Sequence, residues 1–456
     1  MLNKPEKENS RRKFLGKITK GVVASALLPA TASASERREG IDLRREDEKY
    51  GPNDQIQIAL IGAGGMGNAD ADTAITIPGV KLIAACDLFD PRLEQAKKKY
   101  GAGIFTTRDH KEILARKDID AVIIATPDHW HKDIAVEAMN SGKSVYVEKP
   151  MIQSITEGPA IVEAQQRTKK VLQVGSQGMS SLGNEKAKQL FESGAIGQLN
   201  YVEGFWARNT PGGAWQYDLP ADATPENVDW KRFLKDKPAL PYDPKRFFRW
   251  RCFKDYGTGV GGDLFVHLLS SMHYILSSMG PTKIMATGGL RYWKDGRDVP
   301  DVLLGMFDYP QTEKHPAFNL SLRVNFVDST RDGSYFRLVG NEGYMIVDWE
   351  KVTLYRNFSY PPDNYAQVLK QKQYAPDYDR KKMPEPDSTV YTVQNGYKGA
   401  HYDHFYNWAR AIRGGKPVIE DAIFGYRAAA PAVLCNDSYF QEKAIKWDPV
   451  KMQLIS

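Results

Sequence analysis

Apolar positions fall into two rhythms along this chain. Residues 55–61 (QIQIALI), 80–86, 103–106, 121–125 (AVIIA), 144–148 (SVYVE) and 171–174 form short apolar runs separated by helix-like stretches. Runs of that kind, alternating with helices, predict an open, doubly wound parallel sheet in an α/β domain. Beyond residue ~175 the pattern changes. Segments 199–207, 283–293, 302–309, 319–326, 335–339 and 344–349 are strand-like and joined mostly by turns. They predict a largely antiparallel, half-buried sheet in an α+β domain. Helical spacing marks a stretch ending near residue 279, residues 401–413 (Phe405, Trp408, Ala409, Ile412), stopped by Gly414-Gly415, and residues 423–440. The last two helices are expected to pack back near the cleft between the domains.

The first strand runs directly into Gly62-Ala63-Gly64-Gly65-Met66-Gly67, a G-x-G-x-x-G pattern, and a helix-like stretch follows. The second strand ends at Asp87, 20 residues past Gly67. A strand before, a helix after and an acid at that spacing describe a Rossmann dinucleotide site. Gly62 permits the tight turn, Gly64 lets a pyrophosphate approach the backbone, and Gly67 allows close helix–strand packing. The helix N-terminus offers free N–H groups to phosphates. Asp87 suits the adenosine ribose hydroxyls and repels a 2′-phosphate, which favours NAD; Arg92 nearby keeps NADP as the alternative. In open parallel sheets ligands bind at the carboxyl ends of the strands. Thr126-Pro127 and Glu148-Lys149-Pro150 are therefore marked as site positions. Asp128 reads as an N-cap for the next helix. His129 and His131 open that helix, diverging by ~200°, and fit polar contacts near the cofactor better than a metal site; no metal is expected.

The chain has 456 residues, a formal charge of +6 and three cysteines, too few for a disulfide framework. Most of that charge is local. Residues 1–34 hold seven basic and two acidic residues, leaving +1 for the rest. Ser10-Arg11-Arg12-Lys13-Phe14-Leu15 precedes an uncharged, weakly apolar stretch, 21–34, that ends Ala32-Ser33-Ala34. This layout resembles a twin-arginine export signal with a cleavage site. The apolar stretch is shorter than the ~20 residues a membrane span needs. Residues 35–50 mix five basic and six acidic residues and read as a solvated linker or arm. The near-neutral remainder removes the case for a nucleic-acid partner.

In the second domain an aromatic, Pro- and Arg-rich segment, 210–256, leads into Gly257-Thr258-Gly259-Val260-Gly261-Gly262-Asp263-Leu264-Phe265-Val266-His267. On a helix, Asp263 and His267 are four apart and share a face. A carboxylate beside imidazole orients the ring, as a general base requires; a plain helix-start pair is equally consistent with the spacing. Trp206, Trp215, Trp250 and Tyr256 are candidates to stack on sugar faces, with core packing the alternative. Arg249 and Arg251 could meet hydroxyls or a carboxylate. His401 and His404 could reach the substrate.

Taken together, strand-GAGGMG-helix, ATPDHWH, GKSVYVEKP and GTGVGGDLFVH resemble the Gfo/Idh/MocA oxidoreductase family over residues ~55–450. The leader and the YDPKRFFRWRCFKDYGTG segment resemble the exported branch that includes glucose–fructose oxidoreductase. The resemblance implies that Lys149 sits by the nicotinamide and hydrogen-bonds the reacting hydroxyl, and that Asp263 and His267 supply the base. Many members carry Asp three residues after the His; this chain has Ser270. Gly62, Gly64, Gly65, Met66, Gly67, Asp87, Thr126, Pro127, His131, Glu148 and Lys149 are the expected cofactor contacts. Trp206, Tyr256, Arg249, Arg251 and His401 are the candidate substrate contacts.

The expected organisation is a signal peptide, 1–34; a linker or arm, 35–53; an NAD(P)-binding Rossmann domain, 54–175; and a substrate and oligomerisation domain, 176–456. The expected protein is an exported, periplasmic oxidoreductase with tightly bound NAD (or NADP). It acts on a secondary hydroxyl of a sugar, glycoside or polyol, and the open sheet face suggests a homodimer or homotetramer. A glycoside hydrolase or lyase working by transient oxidation, and a non-catalytic sugar-binding protein, are the alternatives.

Overall fold

The computed structural model describes residues 36–41, 51, 54–330, 333–356 and 387–455. The predicted leader and most of the linker lie outside them. Six strands form the first sheet: β2 (Ile56–Ile61), β3 (Val80–Cys86), β4 (Phe105–Thr107), β5 (Ala121–Ile124), β6 (Ser144–Glu148) and β7 (Leu172–Gly175). All pair in parallel, in the order β4-β3-β2-β5-β6-β7. The order reverses beside β2, so a crevice opens at the carboxyl ends of β2 and β5. Residues of β5 are buried without alternation, because helices cover both faces.

The second sheet has eleven strands, in the order β1-β15-β14-β13-β12-β8-β11-β10-β9-β16-β17. They are β1 (Glu36–Ile41), β8 (Leu199–Ala207), β9 (Lys283–Gly289), β10 (Val302–Tyr309), β11 (Phe318–Asn325), β12 (Gly333–Gly340), β13 (Gly343–Val347), β14 (Lys351–Arg356), β15 (Asp387–Val393), β16 (Ile445–Asp448) and β17 (Gln453–Leu454). Among the described residues of this sheet only the β1–β15 and β8–β11 pairs are parallel. Here burial alternates: Leu303, Phe307 and Tyr309 point into the core while Leu304 and Met306 are 42% and 55% exposed. Helices Leu182–Glu192, Val266–Leu276 and Ala422–Gln441 lie on the buried side.

Five strands escape the sequence pattern: β1, β14, β15, β16 and β17. β1 (ERREGI) falls in the stretch read as a solvated linker; only its Ile41 is buried. An edge strand pairs through its backbone, so a charged sequence does not forbid it. Among the described residues no helix is long and apolar enough to cross a membrane.

Helix Ala400–Ile412 packs on the parallel sheet rather than on its own neighbour in sequence. Phe405 stacks on Tyr146 at 4.2 Å, and the Trp408 indole donates to the Val145 carbonyl at 3.0 Å. This places the start of the helix at the mouth of the crevice.

Candidate active site

One cleft of about 860 Å³ runs from the glycine turn to β8 and the segment around residue 250. The turn is built as the motif requires. Gly62 has φ +96°, and a Cβ on it would lie 2.5 Å from the Ala125 carbonyl oxygen. A Cβ on Gly67 would collide with the Gly62 carbonyl, so helix Gly65–Ala74 seats against the turn only with glycine there. Gly67 thus packs the turn and does not line the cleft. Gly64, Gly65 and Met66 do line it; no side chain caps the helix, and a Cβ on Gly65 would meet nothing within 4 Å. This bare helix N-terminus fits a pyrophosphate.

Asp87 lines the same end. Its carboxylate accepts from Ala63 N at 2.8 Å and Phe89 N at 3.0 Å, and the Arg92 guanidinium lies 3.5 Å away. The backbone thus fixes the carboxylate where a ribose would meet it. Thr126 and Pro127 also line the cleft, and the buried Thr126 hydroxyl makes no hydrogen bond among the described residues. An open cradle, a fixed carboxylate and an orphaned hydroxyl together fit a dinucleotide.

His131 departs from expectation. It is buried off the cleft, its ring nitrogens 2.8 Å from the Pro150 carbonyl and 2.9 Å from the Thr126 carbonyl. It ties the ends of β5 and β6 together. His129 likewise faces Phe233 and Tyr256 carbonyls, and burial pushes its pKa down to about 4. Asp128 is not a helix cap: its carboxylate accepts from the backbone N and hydroxyl of Thr258, at 2.9 and 2.7 Å. Burial raises Asp128 to about 7.

At the end of β6, Glu148 and Lys149 line the cleft. Glu148 accepts from the Gln177 amide at 2.6 Å, and burial holds its carboxyl well above the usual range. Lys149 Nζ donates to Asp263 Oδ1 at 2.8 Å and to the Asp263 carbonyl at 3.0 Å. Arg251 Nε donates to the same Oδ1 at 3.2 Å. Burial opposes the Asp263 charge, but Lys149 and Arg251 outweigh it and hold the group well below the carboxylate range.

The side-by-side pairing of Asp263 and His267 read from their spacing is not made: no hydrogen bond joins them among the described residues. Residues Gly261–Phe265 make a π turn, and Val266 begins the α-helix, so the α-helical i,i+4 register does not apply across the pair. Both residues line the cleft, but Asp263 is engaged by Lys149 and Arg251. His267 Nδ1 is buried and makes no hydrogen bond among the described residues. Its Nε2 is the nitrogen left to face the cleft. Burial and then the Lys149 charge depress the imidazole well below its ordinary pKa. The ring of Trp206 stands 5.2 Å from it.

Of the other candidates, Arg251, Trp215, Trp250 and His401 line the cleft. His401 Nε2 sits 2.9 Å from Asp70 Oδ1. Tyr256 and Arg249 do not line it. Tyr256 is fully buried against Phe233, and Arg249 donates to Tyr217 O at 2.7 Å and Gln216 Oε1 at 2.6 Å. His404 is buried behind the cleft, 2.7 Å from the Val174 carbonyl. Ser270 is also buried and donates to Glu420 Oε1 at 3.0 Å, so it serves packing between elements. Arg208, Gln177 and Trp349 line the cleft without a motif to announce them. Their positions follow only from how β8, β7 and β13 end.

The glycine cradle and the Lys149–Asp263 pair now stand in one crevice. Residues 56–176 match the model described as "Oxidoreductase family, NAD-binding Rossmann fold", and residues 188–447 match its "C-terminal alpha/beta domain". The chain belongs to the Gfo/Idh/MocA oxidoreductase family. A member of similar sequence is scyllo-inositol 2-dehydrogenase (NAD(+)) of Bacillus subtilis (strain 168), 34% identical over 152 residues, 33% of this chain and 44% of that protein. A glycosyl hydrolase family 109 protein of Shewanella putrefaciens (strain CN-32 / ATCC BAA-453) is 30% identical over 174 residues, 35% of this chain and 38% of that one. The chain therefore matches less than half the length of either relative. The fold is shared with levoglucosan dehydrogenase in complex with NADH (TM-score 0.63, 18% identity, 86% of this chain and 99% of that chain). It is shared too with the WlbA dehydrogenase of Bordetella pertussis, solved with NADH and UDP-GlcNAcA (TM-score 0.64, 16% identity, 86% of this chain and 98% of that chain).

Proposed function

We propose that this family member is an exported NAD-dependent oxidoreductase acting on a secondary hydroxyl of a sugar, glycoside or polyol. The observation that carries the reading is Lys149 Nζ held 2.8 Å from Asp263 in the cleft that also contains His267 and the glycine cradle. Residues 54–175 would form the cofactor module and 176–456 the substrate and oligomerisation module. Gly64, Gly65 and Met66 would hold the pyrophosphate, and Asp87 the adenosine ribose, disfavouring NADP. Thr126, Pro127 and Glu148 would flank the nicotinamide.

Bound NAD supplies a hydride acceptor. The alcohol carbon gives up a hydride and its oxygen a proton, leaving a ketone. His267 Nε2 takes the proton; neutral imidazole is ready for it because burial disfavours the charged form. Lys149 donates a hydrogen bond to the oxygen on which negative charge develops. Asp263 positions Lys149 and compensates part of the local positive charge. Export through the twin-arginine machinery favours a cofactor loaded before translocation and retained afterwards, since free NAD is scarce outside the cytoplasm. A retained cofactor would then call for a second substrate to take up the hydride.

Denaturing the purified protein and identifying the nucleotide released tests this: stoichiometric NAD is expected, and none would overturn retention. Sugars are then screened at the nicotinamide absorbance. The similarity to a glycosyl hydrolase family 109 protein favours one second reading, in which oxidation is transient and precedes elimination. Hydrolysis of an aryl glycoside without NADH build-up would select it.

A further inference from the structure

We infer that the substrate carries a carboxylate, as a uronic acid or uronide does, and that Arg208 receives it together with Arg251. The inference rests on the oxidoreductase reading and narrows its substrate class. The cations of the cleft differ in what neutralises them. Arg92 lies 3.5 Å from Asp87, Arg108 2.5 Å from Asp90, and Arg232 2.8 Å from Asp229. Lys149 and Arg251 share the single carboxylate of Asp263, at 2.8 and 3.2 Å. Arg208 lines the same cleft, and no carboxylate among the described residues lies within 4.0 Å of it.

Arg208 is poised but underused. Among the described residues its side chain makes one hydrogen bond, from Nη1 to the Gly213 carbonyl at 2.9 Å, of the five N–H groups a guanidinium carries. Its Cζ lies 5.8 Å from the ring of Trp206, the same ring that stands 5.2 Å from the His267 imidazole. Arg208 is thus at the reacting end, away from the glycine turn. Arg251 lies 4.1 Å from the ring of Trp250 and uses only Nε toward Asp263. Its terminal nitrogens make no hydrogen bond among the described residues. Arg249, by contrast, is already bonded to Tyr217 and Gln216.

Lys149, Arg251 and Arg208 therefore meet at this end, where Asp263 is the one carboxylate in ion-pair contact with any of them among the described residues. The buried Asp128 acts on Arg251 from farther away, and burial raises it to about 7. Glu148 makes no ion pair among the described residues, and burial holds its carboxyl well above the usual range, toward the neutral form. Asp218 lines the cleft but is exposed to water. A neutral sugar entering here would displace water and leave the surplus charge desolvated. A carboxylate matches the planar fork of a guanidinium and cancels that charge.

The test uses the purified nucleotide-loaded protein and a matched pair, methyl β-D-glucuronide and methyl β-D-glucoside. Turnover is read at the nicotinamide absorbance and binding by titration calorimetry. The glucuronide is expected to be favoured by about 10- to 100-fold, in KM and in Kd. Arg208→Gln should cut that ratio by at least about tenfold. Arg208→Lys, which keeps the charge and loses the fork, should cut it less, and it serves if the Gln variant fails to fold. Equal use of the two sugars, or a ratio that neither variant moves, would overturn the inference. If neither sugar is turned over, calorimetry still decides whether the acid is preferred, and the oxidoreductase reading is judged separately by released nucleotide and the wider sugar screen.

Discussion

The two ends of the cleft are built on different principles. At the glycine end, polar groups are held by backbone close in space. Asp87 is gripped by Ala63 N and Phe89 N, and the Asn68 amide donates to the Ala63 and Gly64 carbonyls. At the other end, charged side chains from separate elements hold one another. Lys149 ends β6, Asp263 lies in a π turn, and Arg251 comes from the aromatic segment. Backbone-held groups make a rigid and general receptor. Groups that lean on each other are sensitive to any change of partner, so substitutions should separate the two ends.

The largest separation is expected from Lys149→Ala and His267→Ala. Each should lower kcat/KM by about 10²–10⁴-fold, with NAD still released in stoichiometric amount on denaturation. Nucleotide loss in step with activity would mean the ends are not separable. Asp87→Ala should do the reverse. It removes the ribose contact and the repulsion of a 2′-phosphate, so NAD should bind roughly tenfold more weakly and the preference over NADP should shrink. A fluorescence titration with both nucleotides measures this, and an unchanged preference would remove Asp87 from the selection.

The smallest effect is on pH dependence. His267 must be neutral to accept a proton, and its folded pKa is depressed by burial and by Lys149. Activity should therefore persist as pH falls below the ordinary imidazole value of 6.5 and be lost only on falling through the depressed value. An acid limb of kcat/KM at or above 6.5 would argue against His267 as the base.

The same contrast explains how much could be read in advance. The parallel sheet was legible because its strands are continuous apolar runs, Gly62 and Gly67 because the turn leaves no room for a Cβ, and Asp87 because it follows the next strand at the motif's spacing. β1 was not, because an edge strand pairs through its backbone whatever its side chains. Tyr256 and Arg249 looked like ligands by type, yet one fills the core and the other braces a loop. Asp263 and His267 were marked by the family resemblance, their spacing being equally consistent with a plain helix-start pair; the α-helical contact read from that spacing fails because a π turn replaces the α register.

By itself, then, the sequence determined the alternation of strand and helix and the glycine cradle, and it singled out Lys149, Asp263 and His267 as candidates. The first two follow from local sterics and periodicity, which act over a few residues; the three site residues were marked by motifs that resemble the family's. Tertiary structure alone decided that Asp263 pairs with Lys149 and not His267, and that Arg208 stands in the cleft with no carboxylate of the described residues within ion-pair distance. Those outcomes depend on which charges share a buried space. In a low-dielectric interior, such pairings are set by distances between elements far apart along the chain.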